Sequence, residues 1–434
     1  MTRAPYSTLM LLALPIIFAR LYWRGRKDPR YRENIGERLG RFSGPRTRGS
    51  IWLHAVSVGE MRAAQPLVAA LRQRWPATPL LLTCMTPTGR ETATQLYGDF
   101  ATVSYLPYDF GLLVRRLITH FSPRCLIVME TEIWPNTIAT CQANGIPAFL
   151  VNARLSAKSL RNYQRFAPVR RLIGAALGRL SAVGAQYARD AERLQALGVR
   201  EASITGNLKF DVRLDEVLVN RGLAWREALQ PARTVMLAVS TRDGEERAIA
   251  KAYASRFSPA SRLSQLLVIV PRHPPRFDEA AQMVSEAGLV LQRRSANAAI
   301  SDSTEVWLGD SLGEVAAYIA MCDFAFVGGS LLPLGGQNLI EVCAQGKPVL
   351  MGPSTYNFAD AARSAREAGA LLAVSDADDL MQVAEGLFND AVSRQSHARA
   401  AMEFAQAHRG ATEKTLSILA AVLDKQVTGS SQSP

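Results

Sequence analysis

Residues 51–60, IWLHAVSVGE, combine a strand-like run with a carboxylate in the turn that follows it. The mostly apolar residues 51–56 predict a strand, and residues 61–74 predict a helix. Ligands of open α/β sheets bind at the carboxyl ends of strands, so Glu60 could take a proton from a substrate hydroxyl there. Ser57 and Glu60 are also spaced as a capping box, in which side chains satisfy backbone N–H groups at a helix start. These residues alone leave both roles open.

Other polar residues stand at the ends of predicted strands in the same half of the chain. Glu130 and Glu132 flank Thr131 just after a buried strand. On an extended chain, alternate residues point to opposite sides, so we expect Glu130 to face the site while Glu132 packs or caps. Solvation of both carboxylates is the alternative. Asn152 and Arg154 are further candidates to contact a substrate, whereas His54 is typical of a histidine packed within a strand.

Three turns in the second half could bind a nucleotide. Arg272 follows a strand ending at Pro271, and its guanidinium could meet a phosphate; a solvated surface arginine is the alternative. Residues 307–314 predict a strand and a helix start, with Ser311 and Glu314 again spaced as a capping box.

The third turn, residues 328–341, carries two glycine pairs before a predicted helix that starts at Asn338. Glycines allow close approach of the backbone to an anion, and a helix N-terminus supplies free N–H groups. The alternative is a glycine-rich connection without a ligand.

Apolar β-like runs alternate with helical stretches beyond residue 50, which predicts parallel sheets covered on both faces. The runs form two series, and two series indicate two doubly wound α/β domains. The predicted strands span residues 51–56, 80–85, 102–107, 125–130, 148–153, 181–186 and 203–207, then 234–240, 265–271, 289–294, 306–310, 324–329, 348–352 and 371–374. The predicted domains are a membrane anchor at 1–24, an N-terminal domain at 25–212, a linker at 213–232, a C-terminal domain at 233–427 and a disordered tail at 428–434.

The N-terminus is apolar and then basic. No residue from 4 to 19 is charged. Residues 1–50 contain 11 Lys and Arg against three acidic residues, so +8 of the formal net charge of +12 lies there. Basic residues just after an apolar segment mark the cytoplasmic side and attract anionic lipids, which favours an uncleaved anchor on the inner face of the membrane. A cleaved signal peptide fits poorly, because no small-residue cleavage site precedes the basic run. We expect no nucleic-acid partner, since no recognition motif occurs.

The five cysteines are scattered and odd in number, at positions 84, 125, 141, 322 and 343. They form no C-x-x-C or His/Cys ligand spacing, which argues against structural zinc and suits buried thiols in a reducing cytoplasm. There is no clear D-x-D ligand motif, so the sequence predicts no metal and no cofactor.

In order along nearly the whole chain, the motifs resemble those of the Kdo (3-deoxy-D-manno-octulosonic acid) transferases of bacterial lipopolysaccharide assembly. The stretches that carry the resemblance are WRGRKDPRYRENIGERLGRF (23–42), HAVSVGE (54–60), TPTGRETA (86–93), YLPYD (105–109), METEIWPN (129–136), NARLS (152–156), GNLKFD (206–211), PRHPPRF (271–277), GDSLGE (309–314) and GGQNLIE (335–341).

The resemblance implies a GT-B fold, in which two Rossmann-like domains face each other across a cleft. It implies that Glu60 is the general base and that Glu130 and Lys209 support the transition state. It also implies CMP-Kdo as donor, the acylated disaccharide precursor of lipid A (lipid IV-A) as acceptor, and the cytoplasmic face of the inner membrane as location. The implied CMP-binding residues are Pro271, Arg272, Leu312, Gly313, Glu314, Asn338, Leu339, Ile340 and Glu341, the last holding a ribose hydroxyl pair as in other GT-B enzymes.

The sequence departs from the family pattern at two positions. Gln337 stands where the family usually has His, and Arg242 stands where S-T-H-[EP]-G-E-E has its His. Gln337 can still donate a hydrogen bond, and Arg242 can still meet an anion.

A single displacement at the donor would invert its anomeric centre, with the helix from Asn338 and Arg272 stabilising the departing CMP. Two other functions fit this layout. One is a UDP-sugar transferase or epimerase, which competition by CMP against UDP would distinguish. The other is a non-catalytic nucleotide-binding or membrane scaffold, which would bind donor without turnover.

Overall fold

The computed structural model describes residues 2–44, 46–211, 214–229 and 231–430, with side chains up to residue 424. The chain divides into two compact units. Unit 1 comprises Met1–Val212 with Arg409–Pro434, and unit 2 comprises Arg213–His408.

Unit 1 is built on a seven-stranded parallel sheet of order β3-β2-β1-β4-β5-β6-β7. Its strands are β1 (Ile51–His54), β2 (Leu80–Cys84), β3 (Ala101–Tyr105), β4 (Cys125–Met129), β5 (Ala148–Ala153), β6 (Ala182–Ala185) and β7 (Ser203–Ile204). Every residue of β1, β2, β4 and β5 is buried, as expected for strands covered on both faces. Ile51 pairs in register with Leu80 on one side and with Cys125 on the other, which places β1 at the centre.

Helices cover both faces of this sheet and bury two apolar cores, one on each side. In the first part of the chain the helices are α1 (Arg3–Arg24), α2 (Ile35–Arg38), α3 (Val58–Ala63), α4 (Gln65–Arg74), α5 (Pro87–Tyr97), α6 (Gly111–Phe121), α7 (Pro135–Ala143), α8 (Ala157–Arg165), α9 (Ala167–Leu177) and α10 (Ala188–Gln195). Two 3-10 helices, Pro29–Arg32 and Leu208–Asp211, complete this part.

Unit 2 repeats the design with a seven-stranded parallel sheet of order β10-β11-β9-β8-β12-β13-β14. Its strands are β8 (Thr234–Thr241), β9 (Gln265–Pro271), β10 (Leu291–Arg293), β11 (Val306–Leu308), β12 (Phe324–Val327), β13 (Val349–Met351) and β14 (Leu371–Ala373). The predicted strands of both series and the two Rossmann-like units are therefore confirmed.

The helices after residue 213 begin with α11, and all but the last belong to unit 2. They are α11 (Glu216–Glu227), α12 (Glu245–Arg256), α13 (Pro259–Leu263), α14 (Phe277–Glu286), α15 (Val315–Met321), α16 (Ile340–Ala344), α17 (Ala359–Glu367), α18 (Ala377–Asn389), α19 (Ala391–Ala407) and α20 (Ala411–Ser430). Short 3-10 helices span Pro274–Arg276 and Arg294–Ala296.

The predicted linker, residues 213–232, is mostly a packed helix of unit 2. A Cβ added to Gly222 of α11 would lie 2.1 Å from the Ala317 carbonyl oxygen, so the backbones of α11 and α15 lie in direct contact. Trp225 packs edge-on against Trp307 at 5.1 Å between ring centroids. The charged composition suggested a solvated connection, but these small and aromatic residues give the helix a buried face. Residues 212, 213 and 230 lie outside the described residues.

The last helix belongs to unit 1, whereas the sequence analysis ended the C-terminal domain at residue 427. Leu419 and Leu423 of α20 are fully buried in the same apolar core as Ile51. Asp424 pairs with Arg74 of α4 at 2.9 Å. Residues 428–430 of the predicted disordered tail are helical, and residues 431–434 lie outside the described residues. The apolar face of α20 thus packs against α4 and the sheet of unit 1.

Helix α1 is long and apolar enough to cross a membrane, and none of its residues is buried. It nevertheless contacts unit 1 near both of its ends. Asn136 Nδ2 donates to Ser7 Oγ at 2.9 Å, and the ring of Phe18 packs edge-on against Tyr108 at 6.0 Å. Arg32 lies over the ring of Tyr22 at 4.1 Å. The helix therefore runs along the surface of unit 1.

Candidate active site

The two strongest acidic candidates of unit 1 flank the point where its strand order reverses. The chain adds β2 and β3 on one side of β1, then returns to add β4 to β7 on the other. Ligands of doubly wound sheets bind at this reversal, beyond the carboxyl ends of the strands. Glu60 follows β1 and Glu130 follows β4, so the topology brings together two residues that are 70 positions apart in sequence.

Glu60 is held by hydrogen bonds at both of its carboxylate oxygens. The Val56 N–H donates to Oε2 at 2.8 Å, and the Ser57 hydroxyl donates to Oε1 at 3.0 Å. Ser57 Oγ in turn accepts the Glu60 N–H at 3.4 Å, which makes Ser57 the N-cap of α3. The predicted cap is present. Each carboxylate oxygen still has a further lone pair, so capping does not prevent proton acceptance.

The pKa of Glu60 is raised to about 7. Burial is the main cause, and the charges of Glu130 and Glu132 add to it, whereas the Val56 and Ser57 hydrogen bonds oppose it. A carboxylate with a pKa near the working pH is suited to general-base catalysis, because a substantial fraction is ionised and the carboxylate is basic enough to accept a proton.

Glu130 lies between two cationic side chains. Its Oε1 is 3.6 Å from Lys209 Nζ, and its Oε2 is 3.7 Å from Arg154 Nε. The Glu130 side chain is 12% exposed, so the pair with Lys209 is poorly screened by water. Glu130 and Lys209, which the resemblance predicts to act together, are thus in direct contact. Arg154 also contacts Glu130.

The expected alternation of Glu130 and Glu132 is wrong, because the chain is not extended there. Glu130 has a φ of 56°, in the left-handed region that non-glycine residues seldom adopt. The Glu132 N–H then turns back toward the Met129 carbonyl at 3.5 Å. Burial raises the pKa of Glu132, and Glu130 raises it further, so both carboxylates belong to one acidic cluster with Glu60.

Asn152 positions Lys209 instead of presenting its side chain as an exposed contact for a substrate. It is fully buried with a φ of 51°, and its Oδ1 accepts the Leu208 N–H at 3.0 Å. That bond ties the end of β5 to the 3-10 turn that carries Lys209. Left-handed residues at Glu130 and Asn152 are local strain at two neighbouring strand ends, a pattern that concentrates at functional sites.

His54 is a packed strand histidine, as its position indicated. Its Nδ1 is 2.9 Å from Thr83 Oγ1, and burial lowers its pKa to about 3. It is therefore neutral at physiological pH and is not a candidate base.

In unit 2, the predicted donor-binding segments follow the carboxyl ends of three parallel strands, which all lie on the same side of the sheet. Pro271 ends β9 and Arg272 follows it exposed, the turn at 312–314 follows β11, and residues 338–341 follow β12. The strand order reverses between β8 and β12. Arg242 follows β8 and Gly329 follows β12, so the second reversal point is also lined by candidate residues.

The predicted helix start at Asn338 is wrong by two residues. Helix α16 begins at Ile340 and is only five residues long. Asn338 Oδ1 accepts the Ile340 N–H at 3.1 Å, and its Nδ2 donates to Glu341 Oε1 at 2.8 Å. Asn338 thus takes the role of a local cap, and the short helix contributes little dipole to stabilise CMP.

The glycine-rich turn is organised by Glu245, which the sequence analysis did not single out. This buried carboxylate accepts the N–H groups of Gly329 at 2.6 Å and of Ser330 and Leu331 at 3.0 Å each. It also accepts the Arg242 N–H at 2.9 Å. Because these four backbone N–H groups donate to one carboxylate, the turn after β12 is held beside the turn after β8. The pattern S-T-R-D-G-E-E was the available sequence signal.

The neighbouring Glu246 is fully buried and pairs with Arg276. Arg276 Nη1 lies 3.2 Å from Glu246 Oε2, and Thr241 Oγ1 donates to Oε1 at 2.9 Å. Burial raises the pKa of Glu246, and these two partners oppose that effect. Arg276 is thus bound within the protein.

The predicted capping box of Ser311 and Glu314 is also wrong. Glu314 is itself the N-cap of α15, and Ser311 Oγ lies 2.7 Å from the Tyr318 hydroxyl. Glu314 Oε1 accepts from Arg221 at 2.8 Å and from Arg294 at 3.1 Å. Burial alone would raise its pKa, but hydrogen bonds from Ser311 and the two arginines leave that pKa below its usual value. Leu312 is 74% exposed beside Gly313, which has a φ of 79°.

The two departures from the family pattern lie together in space. A Cβ added to Gly329 would be 3.1 Å from Gln337 Nε2 and 3.4 Å from Arg242 Cγ. The two side chains therefore border the same glycine at the reversal point of unit 2. The larger Arg242 brings a permanent cation there, and Gln337 brings amide donors.

Within the described ranges, no group of three or more His, Cys, Asp or Glu residues could hold a metal ion. The five cysteines are free and buried. Burial raises the pKa of each described thiol, for example that of Cys84 to about 12, so they remain protonated.

Comparisons with known proteins converge on one family. A family profile described as "3-Deoxy-D-manno-octulosonic-acid transferase (kdotransferase)" matches residues 33–212. The 3-deoxy-D-manno-octulosonic acid transferase of Bordetella pertussis is 42% identical, over 96% of this chain and 99% of that protein. The protein of the same name from Haemophilus influenzae is 36% identical, over 98% of this chain and all of that protein.

The fold is also found in solved structures of low sequence identity. The UDP-GlcNAc 2-epimerase from Neisseria meningitidis bound to UDP-GlcNAc aligns with a TM-score of 0.58 and 14% identity. The alignment covers 85% of this chain and 99% of that one. At that identity, the likeness concerns the pair of Rossmann-like units alone.

Proposed function

Since this chain belongs to the Kdo transferase family, we propose that it transfers Kdo from CMP-Kdo to the acylated disaccharide precursor of lipid A, with inversion of the anomeric centre. It is a glycosyltransferase of lipopolysaccharide biosynthesis, as are the relatives that share its full length. The donor, the acceptor and the stereochemistry are the parts that we propose. We assign acceptor binding to unit 1 and CMP-sugar binding to unit 2.

The observation that carries the proposal is the state of Glu60. Its pKa of about 7, raised mainly by burial, suits removal of a proton from the attacking hydroxyl of the acceptor. The carboxylate is fixed by Val56 and Ser57 at the reversal point of the sheet, where a ligand would lie. Preorganisation of this kind removes the cost of orienting the base during reaction.

Glu130 and Lys209 act beside the base in this proposal. Lys209 places a positive charge within 3.6 Å of Glu130, and Glu130 acts on Glu60 electrostatically. We assign Lys209 the task of offsetting negative charge on the donor and acceptor, and Glu130 the task of holding Lys209 in place.

On the donor side, Arg242 and Arg272 supply cations beside the ends of β8 and β9. Because α16 is short and begins at Ile340, we assign charge stabilisation of the departing CMP to these side chains and to the backbone of residues 337–339. Asn338 Nδ2 donates to Glu341 Oε1 at 2.8 Å, which restrains this carboxylate, and we assign Glu341 the binding of a ribose hydroxyl pair. Pro271, Leu312, Gly313 and Glu314 shape the neighbouring turns.

We propose a location on the cytoplasmic face of the inner membrane, with α1 as the segment that contacts the lipid. Ser7, near its N-terminus, and Phe18, near its C-terminus, both contact unit 1. The exposed face of the helix carries Leu9, Leu12 and Ile16, which are 61%, 72% and 71% exposed. An apolar face of this kind is stable in the acyl region of one leaflet. We therefore propose that α1 lies along the membrane surface and does not cross the bilayer.

The test is a transfer assay of the detergent-solubilised full chain with CMP-Kdo and the lipid A precursor, followed by mass analysis of the product. We expect addition of Kdo, with inhibition by CMP and not by UDP. The mass also gives the number of Kdo residues added to one acceptor. Binding of CMP-Kdo without turnover would contradict the proposal and favour a non-catalytic role, whereas inhibition by UDP alone would favour a UDP-sugar enzyme.

A further inference from the structure

A basic groove lies on the surface of unit 1. The residues that line it come from other elements than those that carry Glu60, Glu130 and Glu132. The groove is formed by residues 40–42, Arg46 and one side of α6, and its volume is about 480 Å³. The lining includes four arginines, Arg41, Arg46, Arg115 and Arg116, with Phe42 and His120 among the other wall residues. Among the described residues that line the groove, none is acidic.

The positive charge of the groove is not balanced by the surrounding protein. Among the residues that the structure describes, none of the four arginines forms an ion pair with a carboxylate. Arg116 donates to the Leu39 carbonyl at 3.3 Å, which ties its guanidinium to the backbone just before the groove loop. Four guanidinium groups in one concavity repel each other, and an anion between them would relieve that repulsion.

The walls of the groove are held by packing. Phe42 packs edge-on against Phe121 at 5.1 Å and lies 5.6 Å from the His120 ring. Gly40, with a φ of 69°, brings the loop close to α6, since a Cβ there would lie 3.0 Å from the Leu113 carbonyl oxygen. The loop can therefore present its arginines against the helix in one arrangement.

His120 supplies a polar atom that no protein group satisfies. Its Nε2 is buried and has no hydrogen-bond partner within the described part of the chain. Burial lowers the pKa of this histidine, and the charge of Arg46 lowers it further. A buried polar atom at the wall of a cationic groove is the kind of group that a bound anion or its water would satisfy.

The loop that borders the groove begins close to α1. The Tyr108 N–H donates to the Arg38 carbonyl at 3.0 Å, just before the groove loop, and Tyr108 also packs against Phe18 of α1. Leu112, at the groove rim, is 58% exposed. An exposed leucine beside arginines matches the boundary between acyl chains and headgroups.

We propose that this groove binds the phosphate of an anionic phospholipid headgroup in the membrane on which α1 lies. The guanidinium groups would chelate the phosphate oxygens in their planar geometry. Together, α1 and the groove would fix the rotation of unit 1 on the membrane surface. This inference rests on the proposed membrane association, and it concerns lipid binding and not the transfer reaction.

The test is co-sedimentation of the full chain with vesicles of phosphatidylethanolamine alone or of phosphatidylethanolamine with phosphatidylglycerol. We compare the wild type with the double variant Arg41→Gln/Arg115→Gln. The charge-matched control is Arg366→Gln/Arg399→Gln, which removes two exposed arginines from helices of unit 2. Each cation at an anionic surface contributes about 1 kcal/mol, so the groove variant should bind the anionic vesicles roughly thirty-fold more weakly. The control should change by less than about three-fold.

Thermal melting of both variants, and transfer activity in detergent, accompany the binding assay. Unchanged melting and activity with weaker vesicle binding support the proposal. Equal losses for the groove and control variants would overturn it, because only net charge would then matter.

A raised KM for the acceptor in detergent with normal vesicle binding would also overturn it and assign the groove to an acceptor phosphate. Binding of inorganic phosphate that is lost in the groove variant while its vesicle binding stays normal would identify a free-phosphate site and contradict the lipid assignment. Failure of the chain to transfer Kdo would refute the proposed function and leave this result unaffected.

Discussion

Ser57 and Glu60 are hydrogen-bonded to each other in both directions. The Ser57 hydroxyl donates to Glu60 Oε1 at 3.0 Å, and the Glu60 N–H donates to Ser57 Oγ at 3.4 Å. The same bonds that cap α3 therefore aim the carboxylate that we propose as the base. Capping and catalysis are compatible here, and substitutions can separate them.

Replacing Glu60 by Gln should abolish most transfer while leaving the fold intact. The amide oxygen can still accept the Val56 N–H, but the amide cannot take a proton, so we expect a loss of about 100-fold or more in kcat. Glu60→Ala should lose activity and also about 1 kcal/mol of unfolding free energy, because the cap contacts are removed. Activity assays and thermal melting of the two variants measure both effects. Near-normal transfer by Glu60→Gln would exclude the general-base role.

The transfer rate should depend on pH through Glu60. Its pKa of about 7 predicts that kcat/KM falls about tenfold per pH unit below that value, as the base becomes protonated. A pH profile of the wild type measures this limb, and the residual activity of Glu60→Gln should lack it. A profile that is flat from pH 5 to 8 would contradict the assignment.

The stability of the protein should respond to the same group with a defined sign. Because the folded pKa lies above the ordinary value of 4.5, the folded state binds the extra proton, and the contribution of Glu60 to stability falls as pH rises from about 4.5 to about 7. We expect Glu60→Gln to gain stability relative to the wild type at pH 8 compared with pH 5. Denaturant unfolding at both pH values checks this difference, and an opposite sign would show that the raised pKa is absent.

Glu130 and Lys209 should be energetically coupled. Their charged atoms are 3.6 Å apart at a site with little solvent exposure, so removal of either leaves the other without its nearest partner. A double-mutant cycle of Glu130→Gln and Lys209→Gln in kcat/KM should give a coupling of about 1–3 kcal/mol. Additive losses would indicate that the two residues act separately. Arg154→Gln provides the comparison, because its pair with Glu130 is more exposed.

Glu245 should stabilise unit 2 and its glycine-rich turn. Glu245→Gln replaces one acceptor oxygen by an NH₂ group that faces backbone donors, which should cost about 1.5–3 kcal/mol of unfolding free energy. We also expect weaker binding of CMP, measured by calorimetry. The matched control is Glu403→Gln on the exposed side of α19, which should change neither quantity. Wild-type melting and CMP affinity in Glu245→Gln would refute this role.

The side of the membrane on which the N-terminus of α1 lies shows whether this helix crosses the bilayer. The native cysteines are buried, so a single Thr2→Cys thiol can be labelled selectively by an impermeant maleimide. We expect labelling from the same side of the membrane as Ser43→Cys, an exposed position in unit 1. Right-side-out and inverted vesicles distinguish the sides. Labelling of the two positions from opposite sides would establish a membrane-spanning helix.

The strands could be predicted because each is a continuous apolar run, and runs such as residues 125–129 need no partner to be recognised. The reversal point between β1 and β4 follows from that pattern only once the strand order is known. The role of Glu245 could not be predicted, because the backbone N–H groups that donate to it lie more than 80 residues away in sequence. Likewise the sequence predicts a capping box for Glu314, because the side chains that bind its carboxylate, Arg221 and Arg294, are distant in sequence.

Local conformations explain the remaining errors. The left-handed φ of Glu130 breaks the alternation that would have separated it from Glu132. The predicted helix start at Asn338 is early, because the Asn338 side chain accepts the Ile340 N–H and the helix begins after it. The charged face of α11 suggested a linker, whereas Gly222 and Trp225 reveal their partners only in the packed helix pair.

The placement of α20 has a consequence for biosynthesis. Leu419 and Leu423 complete a core that begins with β1, and the Asp211 carboxylate accepts the Gly410 N–H at 2.7 Å to fix the start of that helix. The ribosome therefore starts unit 1 first but finishes it last, after all of unit 2 has emerged. Until then an apolar surface on the sheet remains uncovered. A nascent chain stopped at residue 408 would carry a complete second unit and an unfinished first one, and we expect chaperones to bind it there.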